Sequence, residues 1–188
     1  PHHIPGYAGG AKIIQPGVSG EETTAYTHLL SVQAPRSYLG VLENPVREEL
    51  DAMARRVGMN TILNTVLNRH GQVVQAFFGD VVEAFRAGVV RSREVYDCPI
   101  PEEADIVLAS SHPCDLEFWQ AHKTLYPADL AVKAGGIAII VTPCDEGVAQ
   151  THANMLEMTP YGSHRLREMV SAKQLEDEVG AALAIAWA

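Results

Sequence analysis

The chain has 188 residues, of which 47% are hydrophobic and 20% are charged, and its formal net charge at pH 7 is −9. These values are typical of a globular protein that buries the core of one large or two small domains. A net charge of −9 without a basic cluster argues against a nucleic acid or an anionic membrane as partner. No apolar run reaches the roughly 18–20 residues that span a bilayer. The three cysteines, Cys98, Cys114 and Cys144, fit neither a disulfide framework nor a zinc motif, so we expect a cytoplasmic protein.

A glycine-rich segment, PHHIPGYAGGAKIIQPGVSG, occupies the first twenty residues. Its five glycines permit positive φ and close approach of a ligand, and its prolines stiffen the turns between them. It contains few polar side chains, among them His2, His3 and Lys12. A rigid loop with so few polar groups is typical of a binding site rather than of a linker.

Two helices are predicted after this loop. Ser19 and Glu22 form a capping-box pattern, which predicts a helix from about Glu21 to Val32. The segment ENPVREELDAMARRVGM predicts the next helix, with Asn44 as its cap and proline at its first position. Its apolar stripe comprises Leu50, Met53, Ala54 and Val57.

A hairpin and a third helix are predicted next. The runs NTILNTVLN and QVVQAFFGD read as strands joined by a turn at RHG, and residues 81–96 read as a helix. The acidic, proline-containing stretch DCPIPEEA is the best candidate for a domain boundary. We therefore expect a first domain at residues 1–96 and a second at residues 97–188.

The second domain has the pattern of an α/β fold. DIVLASS and GGIAIIVTP are apolar strands, and DLEFWQAHKTLYPADLAVK between them predicts one helix. Strand, helix and strand in this order predict a βαβ-type parallel sheet flanked by helices, with both sheet faces covered. Ligands of such sheets bind beyond the carboxyl ends of the strands, here at SSHPCD and TPCDEG.

His2, Lys12 and His28 form a candidate site in and just after the glycine-rich segment. Three such residues are more often ordinary surface groups, but the glycines around Lys12 favour a function. GGAKII is neither a Walker A loop nor a Rossmann fingerprint, since it lacks the glycine spacing of the first and the preceding strand of the second.

The run PHHIPGYAGGAKIIQPGVSG…YTH resembles the signature of the nickel-pincer lactate racemase family. In that family of two-domain α/β enzymes, a histidine precedes a cofactor-tethering lysine by ten residues, and a nickel-binding histidine follows it by sixteen. His2, Lys12 and His28 have both spacings. The segments NPVRE, SSHPCDLEFWQAHK and GGIAIIVTPCDEG extend the resemblance over most of the chain.

The resemblance implies a cofactor, a reaction and roles for residues. Lys12, framed by Gly9 and Gly10, would tether the nickel complex of pyridinium-3,5-bisthiocarboxylic acid mononucleotide, which cofactor-biosynthesis enzymes would supply. His28 would bind the nickel, and His2 would act as an acid/base group. The implied reaction is racemisation or epimerisation of a small, lactate-like 2-hydroxy acid by hydride transfer to and from the cofactor.

In the second domain, the resemblance implies that Gln120 and Lys123 contact the substrate. Trp119 departs from the family, which usually has tyrosine there, so we expect a bulkier pocket without that hydroxyl. The family's second acid/base histidine and its substrate-binding arginine lie upstream of residue 1. The chain also ends in a helix without a cap, so we expect an excerpt of a longer protein that is inactive by itself.

Other interpretations stay open from the residues alone. His3 is an alternative to His2 as the acid/base group, and a non-catalytic α/β ligand-binding domain or an inactive fragment is an alternative to an enzyme. A zinc hydrolase that uses His2, His3 and His28 is disfavoured, because no second-shell carboxylates accompany them. His112 and Cys114 at a strand end are weaker candidates, and we expect His122 on the solvent side of its helix.

Overall fold

The computed structural model describes residues 1–149 and 151–188, and the chain divides into two compact units. The first unit comprises Pro1–Ser31 and Tyr38–Pro99, and the second comprises Val32–Ser37 and Ile100–Ala188. No helix among these residues is long and apolar enough to cross a membrane.

The first unit contains the three helices and the hairpin that the sequence predicts. In chain order they are α1 (Glu21–Ser31), α2 (Pro45–Arg56), β1 (Thr61–Leu67), β2 (Val73–Asp80) and α3 (Glu83–Tyr96). A single 3₁₀ turn, Gly10–Ile13, precedes them within the glycine loop. Ser19 donates its hydroxyl to the carbonyl of Pro16 at 3.2 Å, so it closes the loop just before α1 begins.

Local hydrogen bonds explain where α2 and the hairpin begin and turn. Asn44 accepts a hydrogen bond from the backbone N–H of Arg47 at 2.9 Å, and proline occupies the first helical position, as predicted.

In the turn between β1 and β2, the side chain of Asn68 accepts from the N–H groups of His70 and Gln72 at 2.9 and 3.1 Å. The strands then pair in antiparallel register from Thr61 opposite Asp80.

The core of the first unit lies where the loop, α2, the hairpin and α3 meet. Its buried side chains are Ile4, Tyr7, Ala11, Val46, Leu50, Ala54, Ile62, Val81, Val82, Ala84, Phe85 and Val89. The predicted stripe of α2 is right at Leu50 and Ala54, whereas Val57 is 56% exposed because it lies past the end of the helix. The glycine loop is therefore part of the core rather than a surface appendage.

The second unit is a parallel two-stranded sheet with helices. Strands β3 (Ala104–Ser110) and β4 (Val132–Val141) pair in parallel, which confirms the βαβ prediction. Between them lie α4 (Phe118–Ala121), a 3₁₀ turn at His122–Thr124 and α5 (Leu125–Ala131). The remaining helices are α6 (Met155–Met158), α7 (Ser163–Ser171) and α8 (Glu178–Trp187).

Two expectations for this unit are wrong in detail. The single helix expected at residues 115–133 is broken by the 3₁₀ turn, and residues from Val132 onward belong to β4. The strands are not covered on both faces either. Paired positions on one face are largely exposed, with Ile106 at 60%, Leu108 at 71% and Ile137 at 57%. The other face packs against α5.

Candidate functional site

The backbone of the glycine loop fixes the position at which Lys12 leaves it. Gly9 and Gly10 have φ of 84° and 59°, a region that side-chain-bearing residues rarely adopt. A Cβ added to Gly10 would lie 2.9 Å from the ring of Phe85. The N–H of Gly10 donates to the side-chain oxygen of Asn64 at 3.4 Å, and the N–H of Lys12 donates to the carbonyl of Gly9 at 3.3 Å. Lys12 thus begins from a backbone held against α3 and β1, and it is half-buried.

His28 lies on α1, and a hydrogen bond determines which nitrogen of its ring carries the proton. Its Nδ1 is 2.7 Å from the carbonyl oxygen of Thr24, one turn earlier. Because a carbonyl only accepts, Nδ1 carries the proton and the lone pair of the neutral imidazole is at Nε2. An imidazole that donates one N–H to a backbone carbonyl is the usual arrangement of a histidine metal ligand.

His2 and His3 stack on one another, with ring centroids 4.7 Å apart. The Nδ1 of His2 accepts the backbone N–H of Ile4 at 3.2 Å, and the backbone N–H of His2 donates to the carbonyl of Gly6 at 2.7 Å. The neutral form of His2 that keeps the Ile4 bond therefore carries its proton on Nε2. Both rings are half-buried. The bond from Ile4 gives neutral His2 a defined tautomer, and the imidazole of His3 lies beside it.

A cavity of about 410 Å³ lies beside the same loop in the first unit. This volume is within the range of small-molecule sites. Its lining is largely apolar and comprises Pro1, Tyr7, Ala8, Gly9, Asn64, Thr65, Val66, Leu67, Phe85, Gly88, Val89, Ser92 and Tyr96.

In the second unit, Gln120 and Lys123 lie together. The ammonium of Lys123 donates to the side-chain oxygen of Gln120, three residues earlier. Burial lowers the pKa of Lys123, and the nearby Cys114 and Glu117 oppose that effect. One amide and one amine are thereby presented as a pair, which suits recognition of a carboxylate and a hydroxyl.

Trp119 is held by two histidines that the sequence did not connect with it. Its ring stacks on His152 at 4.1 Å between centroids, and it contacts His122 at 5.7 Å. The Nδ1 of His152 is 2.9 Å from a carboxylate oxygen of Asp177, whose other oxygen caps α8. Asp177 is 25 residues from His152 along the chain, so no local sequence pattern connects the two.

The expectation that His122 faces solvent is wrong. His122 is 3% exposed and contacts Tyr126 edge-on. It begins the 3₁₀ turn, in which three residues complete a turn instead of 3.6, so the side-chain phase predicted from a continuous helix no longer holds.

The weaker candidates lie on the surface. His112 is 3.3 Å from a carboxylate oxygen of Asp115 with its side chain 78% exposed, and Cys114 is exposed. Across residues 1–149 and 151–188, no group of three or more histidine, cysteine, aspartate or glutamate side chains is arranged to hold a metal ion.

Comparison with known proteins decides the family. Residues 1–40 match the model of the lactate racemase N-terminal domain. The chain is 30% identical over 151 residues to the lactate racemase of Thermoanaerobacterium thermosaccharolyticum, and 26% identical over 150 residues to that of Lactiplantibacillus plantarum. The structure of the lactate racemase apoprotein from the first organism superposes on 97% of this chain with a TM-score of 0.83 and 26% identity. The chain belongs to the lactate racemase family.

The chain is shorter than its lactate racemase relatives. Each alignment covers 78% of this chain but 35% of the relative, and the matched apoprotein structure is covered to 46%. The chain therefore spans about a third to a half of the length of the lactate racemases it matches.

Reasoning from the sequence missed Arg47, which contacts the loop that carries Lys12. A signal was present, because Arg47 precedes the buried Leu50 and Ala54 by three and seven residues and so lies on the apolar stripe of its helix. An arginine at such a position indicates a buried charge with a specific partner.

Proposed function

We propose that this chain carries the cofactor-tethering part of a nickel-dependent 2-hydroxyacid racemase or epimerase. The observation that carries the proposal is that one compact unit contains both a lysine on a fixed glycine loop and a histidine whose Nε2 has the lone pair. Membership in the lactate racemase family supports the reaction class.

The residues fit the nickel-pincer nucleotide. His28 would hold the nickel through Nε2, an imidazole nitrogen of the type that nickel accepts, and Thr24 orients that imidazole. Lys12 supplies an amine for a covalent link, and Gly9 and Gly10 leave its backbone without side chains. When bound, the cofactor supplies the acceptor and donor for the hydride of the substrate carbon.

The side chains of this protein would handle the proton and the substrate's orientation. In the neutral tautomer that accepts the N–H of Ile4, the unprotonated nitrogen of His2 is Nδ1. Accepting the substrate's hydroxyl proton there would replace the bond from Ile4 and give an imidazolium, which would return the same proton to the substrate oxygen in the reverse step. Accepting the hydroxyl proton would leave His2 charged, with His3 stacked against it. Gln120 and Lys123 would hold the carboxylate or hydroxyl of the substrate as a hydrogen-bonded pair.

A stereochemical assay tests this function. The product of the complete gene, coexpressed with cofactor-biosynthesis enzymes, is incubated with single enantiomers of a series of 2-hydroxy acids, and chiral chromatography follows inversion. We expect at least one acid to approach an equal mixture of enantiomers. Protein that carries the adduct and nickel but inverts none of them would contradict the proposal and would favour the non-catalytic ligand-binding alternative.

Trp119 predicts the substrate preference of that enzyme. The family usually has tyrosine at this position, so the indole of Trp119, which stacks on His152, would add bulk to the pocket and remove a hydroxyl. We therefore expect an acid other than lactate to be the preferred substrate. Trp119→Tyr should shift the ratio of kcat/KM values toward lactate by about tenfold or more, the usual effect of changing pocket size and one polar group. Trp119→Phe is the matched control, because it reduces the bulk without adding a hydroxyl. Lactate as the best substrate of the unchanged protein would refute this prediction.

A further inference from the structure

Arg47 is a buried charge at the start of α2. Asn44 and the proline after it fix the first turn of this helix, and Arg47 follows in that turn with 1% of its surface exposed. A cation in the first turn opposes the helix dipole, and burial of its guanidinium adds a desolvation cost. Burial lowers the pKa of Arg47 to about 10, while the carboxylate of Asp51 acts to raise it, so the side chain stays charged at neutral pH.

The guanidinium of Arg47 is held on three sides. One terminal nitrogen donates to the carbonyl of Tyr7, and the other donates to the carbonyl of Gly9 at 3.4 Å and lies 3.8 Å from a carboxylate oxygen of Asp51. Its central carbon lies over the ring of Phe85, 4.0 Å from the centroid. The planar fork of an arginine suits such a set of contacts, because it donates from two nitrogens and stacks through its face.

Two of these contacts lead directly to Lys12. The carbonyl of Gly9 accepts from Arg47 and from the backbone N–H of Lys12 at 3.3 Å, so one oxygen links the guanidinium to the lysine. The ring of Phe85 lies under Arg47 and also against Gly10, where a Cβ would come within 2.9 Å. Arg47 therefore contacts both the carbonyl of Gly9, which accepts the N–H of Lys12, and the ring of Phe85, which lies against Gly10 at the start of the 3₁₀ turn.

We propose that Arg47 is a positioning residue that fixes the glycine loop so that the amine of Lys12 meets the cofactor in one orientation. This inference rests on the proposed function, because it assigns Lys12 the role of tether. A buried ion pair is weak evidence for stability, since an apolar residue of similar volume often serves as well. An apolar residue at this position would lose the hydrogen bonds to the carbonyls of Tyr7 and Gly9 in the loop.

Hydrogen exchange on the protein without cofactor tests whether Arg47 holds the glycine loop. In Arg47→Met, and in Arg47→Lys, which keeps the charge but loses the fork, we expect the backbone N–H groups of Gly10 and Lys12 to exchange about tenfold faster or more. Leu50→Ala is the matched control. It removes a fully buried side chain one turn along the same helix but breaks no hydrogen bond to the loop. Exchange in the arginine variants that matches this control would overturn the proposal.

Mass spectrometry tests the consequence for Lys12. We expect the rate of adduct formation to fall at least about tenfold in both arginine variants relative to Leu50→Ala, with Arg47→Lys serving if Arg47→Met fails to fold. Faster loop exchange with an unchanged rate of adduct formation would overturn the positioning role. If the unchanged protein forms no adduct, the proposed function fails, and the exchange experiment alone decides whether Arg47 holds the loop.

Discussion

Lys12→Ala should abolish covalent attachment of the nickel-pincer nucleotide. The proposed link needs the amine of this residue, and Lys12 is the one lysine in the first 122 residues of the sequence. The backbone N–H of Lys12 donates to the carbonyl of Gly9, and the N–H of Gly10 in the same turn donates to Asn64, so a lysine elsewhere would not reproduce its position. Intact-mass spectra of the product of the complete gene, coexpressed with the cofactor-biosynthesis enzymes, should show the adduct in the unchanged protein and no adduct in the variant.

Two further variants test whether the adduct requires the amine of Lys12, rather than a positive charge at that position or any lysine of the chain. Lys12→Arg keeps a positive charge but not the nucleophilic amine, and we expect it to lack the adduct as well. Lys123→Ala removes a half-buried lysine of the second unit and should keep the adduct. An adduct of unchanged mass in Lys12→Ala would assign the tether to another residue.

His28→Ala should lose nickel while keeping the adduct on Lys12. The imidazole of His28 is oriented by Thr24, and its Nε2 has the lone pair that a metal needs. Loss of the partner that orients a ligand typically weakens metal binding 10- to 100-fold. Loss of the ligand itself should therefore reduce nickel affinity by about 100-fold or more. Metal analysis by mass spectrometry after dialysis, normalised to the adduct, measures this effect.

Controls for His28 distinguish ligation from loss of any histidine. His164→Ala removes an imidazole that is 90% exposed and should leave the nickel content unchanged. His2→Ala should keep both adduct and nickel but lower kcat by about 10²- to 10⁴-fold, the usual contribution of a positioned acid/base group. Full nickel content in His28→Ala after dialysis would show that the protein ligand is elsewhere.

Much of the first unit was predictable from short-range patterns. Asn44 and the proline after it set the start of α2, and the side chain of Asn68 closes the hairpin turn through bonds to residues two and four positions away. Such bonds depend on a few neighbouring residues, so they can be predicted from sequence. The spacing of Lys12 and His28 likewise needed no coordinates, since it identified the family by its pattern.

The second unit shows why other predictions failed. The neighbouring Lys123 predicts that His122 lies on the solvent side of its helix, but His122 begins a 3₁₀ turn and is buried. Apolar strands predicted a sheet covered on both faces, whereas α5 covers one face and Leu108 on the other is 71% exposed. Periodicity reports which side chains are apolar, and it does not report what packs against them.

The sequence by itself determined the local elements, the parallel βαβ arrangement and the family to which the candidate residues belong. Only the tertiary structure decided how those residues are held, because the decisive contacts join distant parts of the chain. Arg47 reaches the carbonyls of Tyr7 and Gly9 across 40 and 38 residues, and Asn64 reaches Gly10 across 54. A hydrogen bond over such a separation forms only after the core has brought its donor and acceptor together, so no local pattern encodes it.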